Sequence, residues 1–533
     1  MDNAAPQFKK GEFLSIFAAW LLLAVLWVCM AVPNTTVPGL FYDEAQCAGM
    51  AKDFLTGRSH QHTRGYQVIN IGGRPFPAFV QPYGGAVKSW LLLPVFAVFG
   101  TSQAVLRLTA MAWGLVALLL FMLWTWRWLG RNTALLAGVL LASDPTFFFI
   151  SVLDWGPVLP SFLCRFACFY FALRWWQLRN QPQIPQPKES KRKLIWFAFF
   201  AGFFAGLGFF NKIDFAVLLA GVLAAFYCCN IRRSWFHPLL TLAILGFLVT
   251  GGPMLAHLPA IIEDNPSGGN RAGELAEKFN TALAMYNGSY FYRLMDAGGM
   301  FNKMFQPRAL VFAPIGIAVL LAGAFLVFRP ANESILRNAS GDPALFLLLA
   351  TLFITIGTFL LPKAVRIHHM VAVYPFPQLM IALAVTRLRH CKWVTGLFVL
   401  LVAFQLLALC KTQQLLRQTG GRGRWSDAIN AFARQVNDRS DLTIVSADWG
   451  FNEQLIFLTD GPKLIEPFWS KWPADARSTN LIYLLHPPEY SLYHFGQSRL
   501  DEARREGPAA VELKPWLDHQ DRVAFYSLHF RGP

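Results

Sequence analysis

The stretch FLSIFAAWLLLAVLWVCMAVPNTTVPGLFYDEA (13–45) sets an apolar run directly before a loop that opens on two adjacent acids, Asp43 and Glu44. Roughly 20 consecutive apolar residues cross the hydrocarbon core as a helix, and the run from Phe13 to Val32 has that length. Lys9 and Lys10 precede it, and it is longer than a signal-peptide core, so it reads as an uncleaved anchor.

The same signature recurs outward from this stretch. The chain has 533 residues, 55% hydrophobic and 15% charged, a balance that water-soluble chains of this length rarely show. Apolar runs at 103–126, 133–153, 156–177, 194–211, 213–230, 235–257, 308–328, 344–362, 368–386 and 393–411 bring the expectation to about eleven transmembrane helices. The net charge of +16 would suit a nucleic-acid binder, but the basic residues cluster in short connections between apolar runs, which points instead to membrane topology.

Taking alternate loops separates the basic residues. One set holds Lys9 and Lys10; Arg127 and Arg131; Arg179, Lys188, Lys191, Arg192 and Lys193; Arg232 and Arg233; Arg329 and Arg337; and Arg387, Arg389 and Lys392. The positive-inside rule makes that set cytoplasmic. The loop 33–102, the Asp154 turn, the 211–214 turn, the loop 258–307, the 363–369 turn and everything after Lys411 then face outward. In a cell with two membranes this is a multi-pass protein of the inner (plasma) membrane with its chemistry on the extracytoplasmic face.

Within the first outer loop, YDEAQCAGMAKDFL (42–55) predicts a short amphipathic helix at the membrane surface. Residues 71–85 read as turns, and KSWLLLPVFAVF (88–99) is apolar but too short to span, which makes it a second interfacial helix. After residue 411 hydropathy falls. A helix near 425–437, strands near 441–447, 480–485 and 522–528, and a helix near 451–458 predict a small soluble α/β domain over 412–533, beside a transmembrane domain over 1–411. The segment QPQIPQPKESKRK (181–193) reads as a Pro-rich basic linker near anionic lipid headgroups. Cysteines other than Cys47 lie in or beside apolar runs without metal-ligand spacing, so no structural disulfide is expected.

All candidate chemistry falls on the outward side. A carboxylate at Asp43 can take a proton from an attacking hydroxyl, and the same residue is equally suited to cap the helix it opens; Glu44 beside it is a second catalytic candidate. Asp154, in FFFISVLDWGP, is an acid between two apolar runs, a costly placement that asks for a reason. It can orient the base or the acceptor, or hold a metal; a water-exposed turn is the structural alternative. KAVRIHHM (363–370) gathers Lys363, Arg366, His368 and His369. With Lys88, Arg64, Arg74 and Lys212 these can clamp a phosphate, although any single one can simply reach for headgroups. Asp448, Trp449, Gly450, Glu453 and Glu466 lie where the C-terminal domain leaves strands or begins helices, open to structural or substrate-facing roles.

With these residues in view, the sequence resembles the GT-C membrane glycosyltransferases, in the branch of protein O-mannosyltransferases and lipid A aminoarabinose transferases. The resemblance rests on Asp43-Glu44, on QPYGGAVKSWLLLPVFAVFG (81–100) with VLRLTAMAWGLVALLLF after it, and on LLASDPTFFFISVLDWGPVLPSFL (140–163). It implies inverting transfer of a sugar from a polyprenyl-phosphate donor, Asp43 as the essential acid, Asp154 as the second, and an outer soluble domain over the site. Members often carry Lys-Pro-Pro where this chain has Gln81-Pro82-Tyr83. That departure removes one phosphate ligand, for which Lys88, Arg64 or Arg74 can substitute, and leaves Tyr83 as a substrate-binding candidate with His368 and His369.

The expected activity is therefore transfer of a sugar from a polyprenyl phosphate to an envelope lipid, glycan or protein, with membrane lipids around the enzyme and no nucleic-acid partner. No cofactor is called for, though the acids permit a divalent metal. Two other readings remain: a transporter or flippase of a lipid-linked saccharide, which calls for charged or broken segments at mid-membrane, and an envelope assembly protein whose outer domain binds a partner.

Overall fold

The computed structural model of the chain describes residues 10–63, 65–179, 188–229, 240–264, 271–300, 317–318, 323, 343–468, 471–473, 477–494 and 496–531. Arg64 and nearly all of the apolar run 308–328 lie outside the described residues.

Among the described residues seven helices are long and apolar enough to cross a membrane, and two bent helix pairs raise the number to nine. Phe215–Cys228 is apolar but short. These ten elements coincide with ten of the eleven expected runs.

Local chemistry explains both bends. Arg131–Ser143 and Pro145–Val152 meet at 62°. Pro145 opens the second helix, and Asp144 caps it by accepting from the N–H of Thr146 at 2.9 Å and of Phe147 at 3.0 Å. Proline is favoured at a first helical position and breaks an interior one, so the pair ends one helix and starts the next. The second bend, 41° between Ile367–Val373 and Phe376–Arg387, falls at Pro375. It frees backbone carbonyls inside the bundle, and buried Arg165 of the span Val158–Arg179 donates to those of Val371 (2.9 Å) and Tyr374. Inside a bilayer such freed groups are tolerated only when protein satisfies them.

The loop 33–102 contains more regular structure than its sequence suggests. Residues 67–85 form an antiparallel sheet of β1 (Gln67–Ile71), β2 (Arg74–Gln81) and β3 (Gly84–Gly85), most of it over 71–85, where turns were expected. Gly72 and Gly73, at φ +60° and +80°, form the two-residue connection between β1 and β2, a conformation glycine adopts without steric cost. Helix Tyr42–Thr56 is also not an exposed surface helix with one wet face. Tyr42 and every residue from Glu44 to Asp53 are buried, because protein packs on nearly all sides of it.

The C-terminal domain is a five-stranded mixed sheet in the order β5-β4-β6-β8-β7, with β4 (Thr443–Ser446), β5 (Lys463–Ile465) and β6 (Leu481–Leu485) parallel. β8 (Val523–Phe530) is antiparallel to β6, and β7 (Val511–Leu517) to β8. Alternation along the strands builds two cores. Ile444, Leu484 and Phe525 pack against helices Ala428–Val436 and Asn452–Leu458, whereas Val445, Tyr483 and Leu528 pack against helix Gln497–Glu506. The last apolar helix, Lys392–Thr419, leads into this domain.

Candidate active site

The acid pair lies where the membrane helices, the long loop after the first span and the C-terminal domain meet. Asp43 and Glu44 occupy the first turn of helix Tyr42–Thr56, where the positive end of the helix dipole favours carboxylates. The backbone turns them to different tasks.

Glu44 is enclosed. Its Oε1 accepts from Arg107 Nε at 2.6 Å, and its Oε2 from Arg107 Nη2 at 2.9 Å and from the Phe41 N–H at 3.2 Å. Arg107 spends its other donors on the carbonyls of Asn34 (2.8 Å), Pro38 (2.8 Å) and Gly39 (3.2 Å). All five guanidinium N–H groups therefore have acceptors. Glu44, expected as a catalytic candidate, is placed where its contacts tie the loop 34–44 to the span Gln103–Leu129.

Asp43 is half-buried, and no described residue hydrogen-bonds its carboxylate. Burial raises its pKa to about 6, against the opposing fields of Lys88, Lys212, Arg424 and Arg366. Those four cations come from four separate stretches of chain. Lys212 pairs with Asp214 at 2.7 Å, and Arg366 pairs with Glu277. Of the acids and bases gathered here, Asp43 and Arg424 have no ion-pair partner among the described residues.

Asp154 and Lys88 meet as a fully buried pair, Nζ to Oδ2 at 2.8 Å. Lys88 also donates to the carbonyls of Asp154 (2.9 Å) and Glu44 (3.4 Å). Its three N–H groups are thus engaged inside the protein, where Lys88 ties the Asp154 turn to the Asp43 helix. Asp154 takes a left-handed backbone at φ +50°, uncommon for a residue with a side chain. Burial raises its pKa, against the pull of Lys88.

The 363–370 turn divides in two. His368 accepts from Trp155 Nε1 at 3.1 Å, and His369 Nδ1 lies 2.9 Å from Asp214 Oδ2 and 3.2 Å from Lys212 Nζ. Arg165, Lys212, Asp214 and His368 line a small cavity of about 10 Å³ beside them, room for about one water. The side chain of Lys363 is exposed, and Glu274 accepts from its backbone N–H. Arg74, also exposed, donates to the Leu55 carbonyl at 3.0 Å at the hairpin tip. Neither is among the cations acting most strongly on Asp43. Tyr83 is half-exposed, its carbonyl accepts from the Ile213 N–H at 3.1 Å, and its phenol feels the charges of Asp43 and Asp214.

Sequence reasoning missed Arg107, Arg165 and Arg424. Arg424 is buried, donates to the Gly299 carbonyl and to Met300 Sδ (3.2 Å), and lies 5.3 Å over the Trp449 ring. Trp449 in turn packs on Tyr42 at 4.5 Å, and Phe41 stacks on Trp425 at 4.0 Å with Trp155 5.4 Å from each. An aromatic wall drawn from three regions thus stands next to Asp43. Among the described residues no group of three or more His, Cys, Asp or Glu is arranged to hold a metal ion.

Residues 84–257 match the family model described as dolichyl-phosphate-mannose-protein mannosyltransferase. Among solved structures, the fold is similar to ArnT from Cupriavidus metallidurans bound to undecaprenyl phosphate, with a TM-score of 0.50 and 13% identity over 96% of this chain and 99% of that one. It is also similar to the archaeal oligosaccharyltransferase AglB from Archaeoglobus fulgidus in complex with an inhibitory peptide and a dolichol-phosphate. That match has a TM-score of 0.50 and 13% identity over 87% of this chain and 65% of that one. No curated protein matches by sequence. The chain is a multi-pass membrane protein with the GT-C fold of membrane glycosyltransferases. Within that class, the family match covers a segment holding Lys88, Arg107, Asp154, Arg165, Lys212 and Asp214, and ends before the turn of Arg366 and the C-terminal domain.

Proposed function

We propose that the protein is an inverting glycosyltransferase that moves a sugar from a polyprenyl-phosphate donor to an envelope acceptor, with Asp43 as the general base. The observation that carries this reading is the Asp43 carboxylate, without an ion-pair or hydrogen-bond partner among the described residues and surrounded by cations. A base must be left free to meet the acceptor, and a departing phosphate needs fixed positive charge.

In the step itself, Asp43 removes the proton from an acceptor hydroxyl as its oxygen attacks the anomeric carbon. The bond from that carbon to the phosphate oxygen breaks, its electron pair stays on the phosphate, and the configuration inverts. Arg366, Lys212 and Arg424 stabilise the charge gathered there. A planar guanidinium grips two phosphate oxygens at once, which favours Arg366 and Arg424 over the lysine as primary ligands. The undecaprenyl phosphate of ArnT and the dolichol-phosphate of AglB support a lipid-phosphate donor. The distribution of basic loops supports a site on the extracytoplasmic face of the plasma membrane, with the C-terminal domain over it.

Purified protein supplied in parallel with a polyprenyl-phosphate sugar and a nucleotide sugar, each with candidate acceptors, tests the donor. Transfer from the lipid-linked sugar is expected. Transfer from the nucleotide sugar alone, in a preparation free of polyprenyl lipids, would refute the proposal.

A further inference from the structure

The helix that carries Asp43 is joined to the C-terminal domain by a buried chain of charged groups distinct from the Asp43 cluster. Asp53, ten residues further along this helix, accepts from the His60 N–H at 3.0 Å and sits 2.7 Å from His60 Nδ1 and 3.1 Å from His62 Nε2. The other ring nitrogen of His62 lies 2.9 Å from Glu453 Oε2, on helix Asn452–Leu458 of the C-terminal domain. Glu453 Oε1 also accepts from the Thr63 N–H at 2.8 Å. Asp53, His62 and Glu453 are all buried. Burial would lower the His62 pKa, but Glu453 and Asp53 outweigh it and raise it to about 10. The ring is thus an imidazolium that donates to a carboxylate on each side. The groups facing it are Asp53, His60, Thr63 and Tyr66 from the loop 33–102 and Glu453 from the domain.

Around this link the two helices touch closely. A Cβ built on Gly49 would lie 3.1 Å from Ile456 Cγ2 and 3.7 Å from Ile456 Cβ. Lys52 donates to the carbonyls of Phe457 and Thr459, both at 2.8 Å, and pairs with Asp460 at 2.9 Å. Removing the His62 charge would leave two carboxylates facing each other out of water, a strongly unfavourable arrangement.

We infer that His62 is a positioning residue: by bridging Asp53 to Glu453 it seats the Asp43 helix on the C-terminal domain, so that docking of the domain sets the catalytic geometry. This rests on Asp43 being the base. Small displacements of a positioned group cost rate disproportionately, so the loss falls on turnover more than on donor binding.

The test uses the full-length protein, with native cysteines replaced. His62→Gln is expected to lower kcat at least tenfold with donor KM changed less than threefold. Activity relative to the parent should rise as pH falls, because protonating Asp53 removes the repulsion. Glu453→Gln, approached from the domain side, should reproduce the turnover loss. The 3.7 Å Cβ separation matches disulfide geometry, so Gly49→Cys with Ile456→Cys supplies a covalent link. Oxidising that pair in the His62→Gln background should restore turnover, and reducing it should abolish the rescue. Unchanged turnover together with unchanged exchange across 42–56 in His62→Gln, a pair that does not form the disulfide, or a formed disulfide without rescue would each overturn the inference. Hydrogen exchange across 42–56 reports seating without any substrate. If Asp43 is not the base, His62→Gln still raises exchange there while the turnover arm fails, which separates the two claims.

Discussion

Replacing Arg107 with Met leaves a hole in charge and in hydrogen bonding where the loop 34–44 is pinned. The guanidinium is fully buried and makes five hydrogen bonds, two to Glu44 and three to main-chain carbonyls. Breaking a buried pair by removing one partner costs about 3–5 kcal/mol, mostly because the other charge stays out of water. Each orphaned carbonyl adds up to about 1–3 kcal/mol unless water reaches it, so about 3–5 kcal/mol is the lower expectation for Arg107→Met. Arg107→Lys keeps the charge but has three donors for five acceptors, and should be intermediate. Adding Glu44→Gln to Arg107→Met removes the stranded charge and should recover part of the loss, a coupling that a double-mutant cycle isolates. Denaturant unfolding of the purified variants in the same detergent reads these differences. If Arg107→Met unfolds within about 1 kcal/mol of the parent, or Glu44→Gln loses turnover at unchanged stability, the anchor assignment fails and Glu44 returns as a catalytic candidate.

Three more outcomes follow from the same geometry. With burial holding the Asp43 pKa at about 6, kcat/KM should fall as pH drops through that value, since the protonated acid cannot accept the acceptor's proton; Arg424→Gln removes an opposing cation and should move this acid limb upward. Lys88→Met strands Asp154 in a fully buried site and should cost about 3–5 kcal/mol, with Lys88→Met/Asp154→Asn less destabilised than Lys88→Met in the same unfolding assay. Docking of the loop 33–102 should depend on pH at both ends. His62, raised to about 10 from 6.5, contributes fully below 6.5 and loses its contribution as pH rises through 10. For Asp53 burial opposes ionisation, but the His60 and His62 hydrogen bonds hold its pKa down to about 2 from 3.8, so its contribution is present above 3.8 and is lost as pH falls through 2. Hydrogen exchange at 42–63 should therefore be slowest, after correction for intrinsic rates, between these limits.

The transmembrane helices were legible because a span needs only length and apolarity, both local properties of the chain. Asp43 and Asp154 stood out for a related reason: an acid bordering an apolar run is conspicuous. What the sequence could not reveal was partnership. Lys88 was selected for its charge, yet that charge is neutralised by Asp154, 66 residues away. Arg107 and Arg165 were passed over because an arginine within an apolar run resembles a tolerated defect until the carbonyls it satisfies come into view. Arg424 follows the last span, and its approach to Asp43 exists only once the C-terminal domain has folded back. Residues 71–85 were read as turns from their Gly and Pro content, although Gly72-Gly73 between extended segments is itself a hairpin signal. His62, Asp53 and Glu453 carried no signal as a group, since 391 residues separate His62 from Glu453.

The central claim is that Asp43 is the base, and Asp43→Asn tests it most directly, because the amide keeps the size and position of the carboxylate while losing its ability to take a proton. No described residue bonds that carboxylate, so the variant should fold and express like the parent, with unchanged exchange at 42–56. General-base catalysis contributes about 10²–10⁴-fold in rate. The account predicts that purified Asp43→Asn protein, given the lipid-linked sugar and an acceptor, turns over slower by that factor while still binding the donor. Turnover at the parental rate would contradict it.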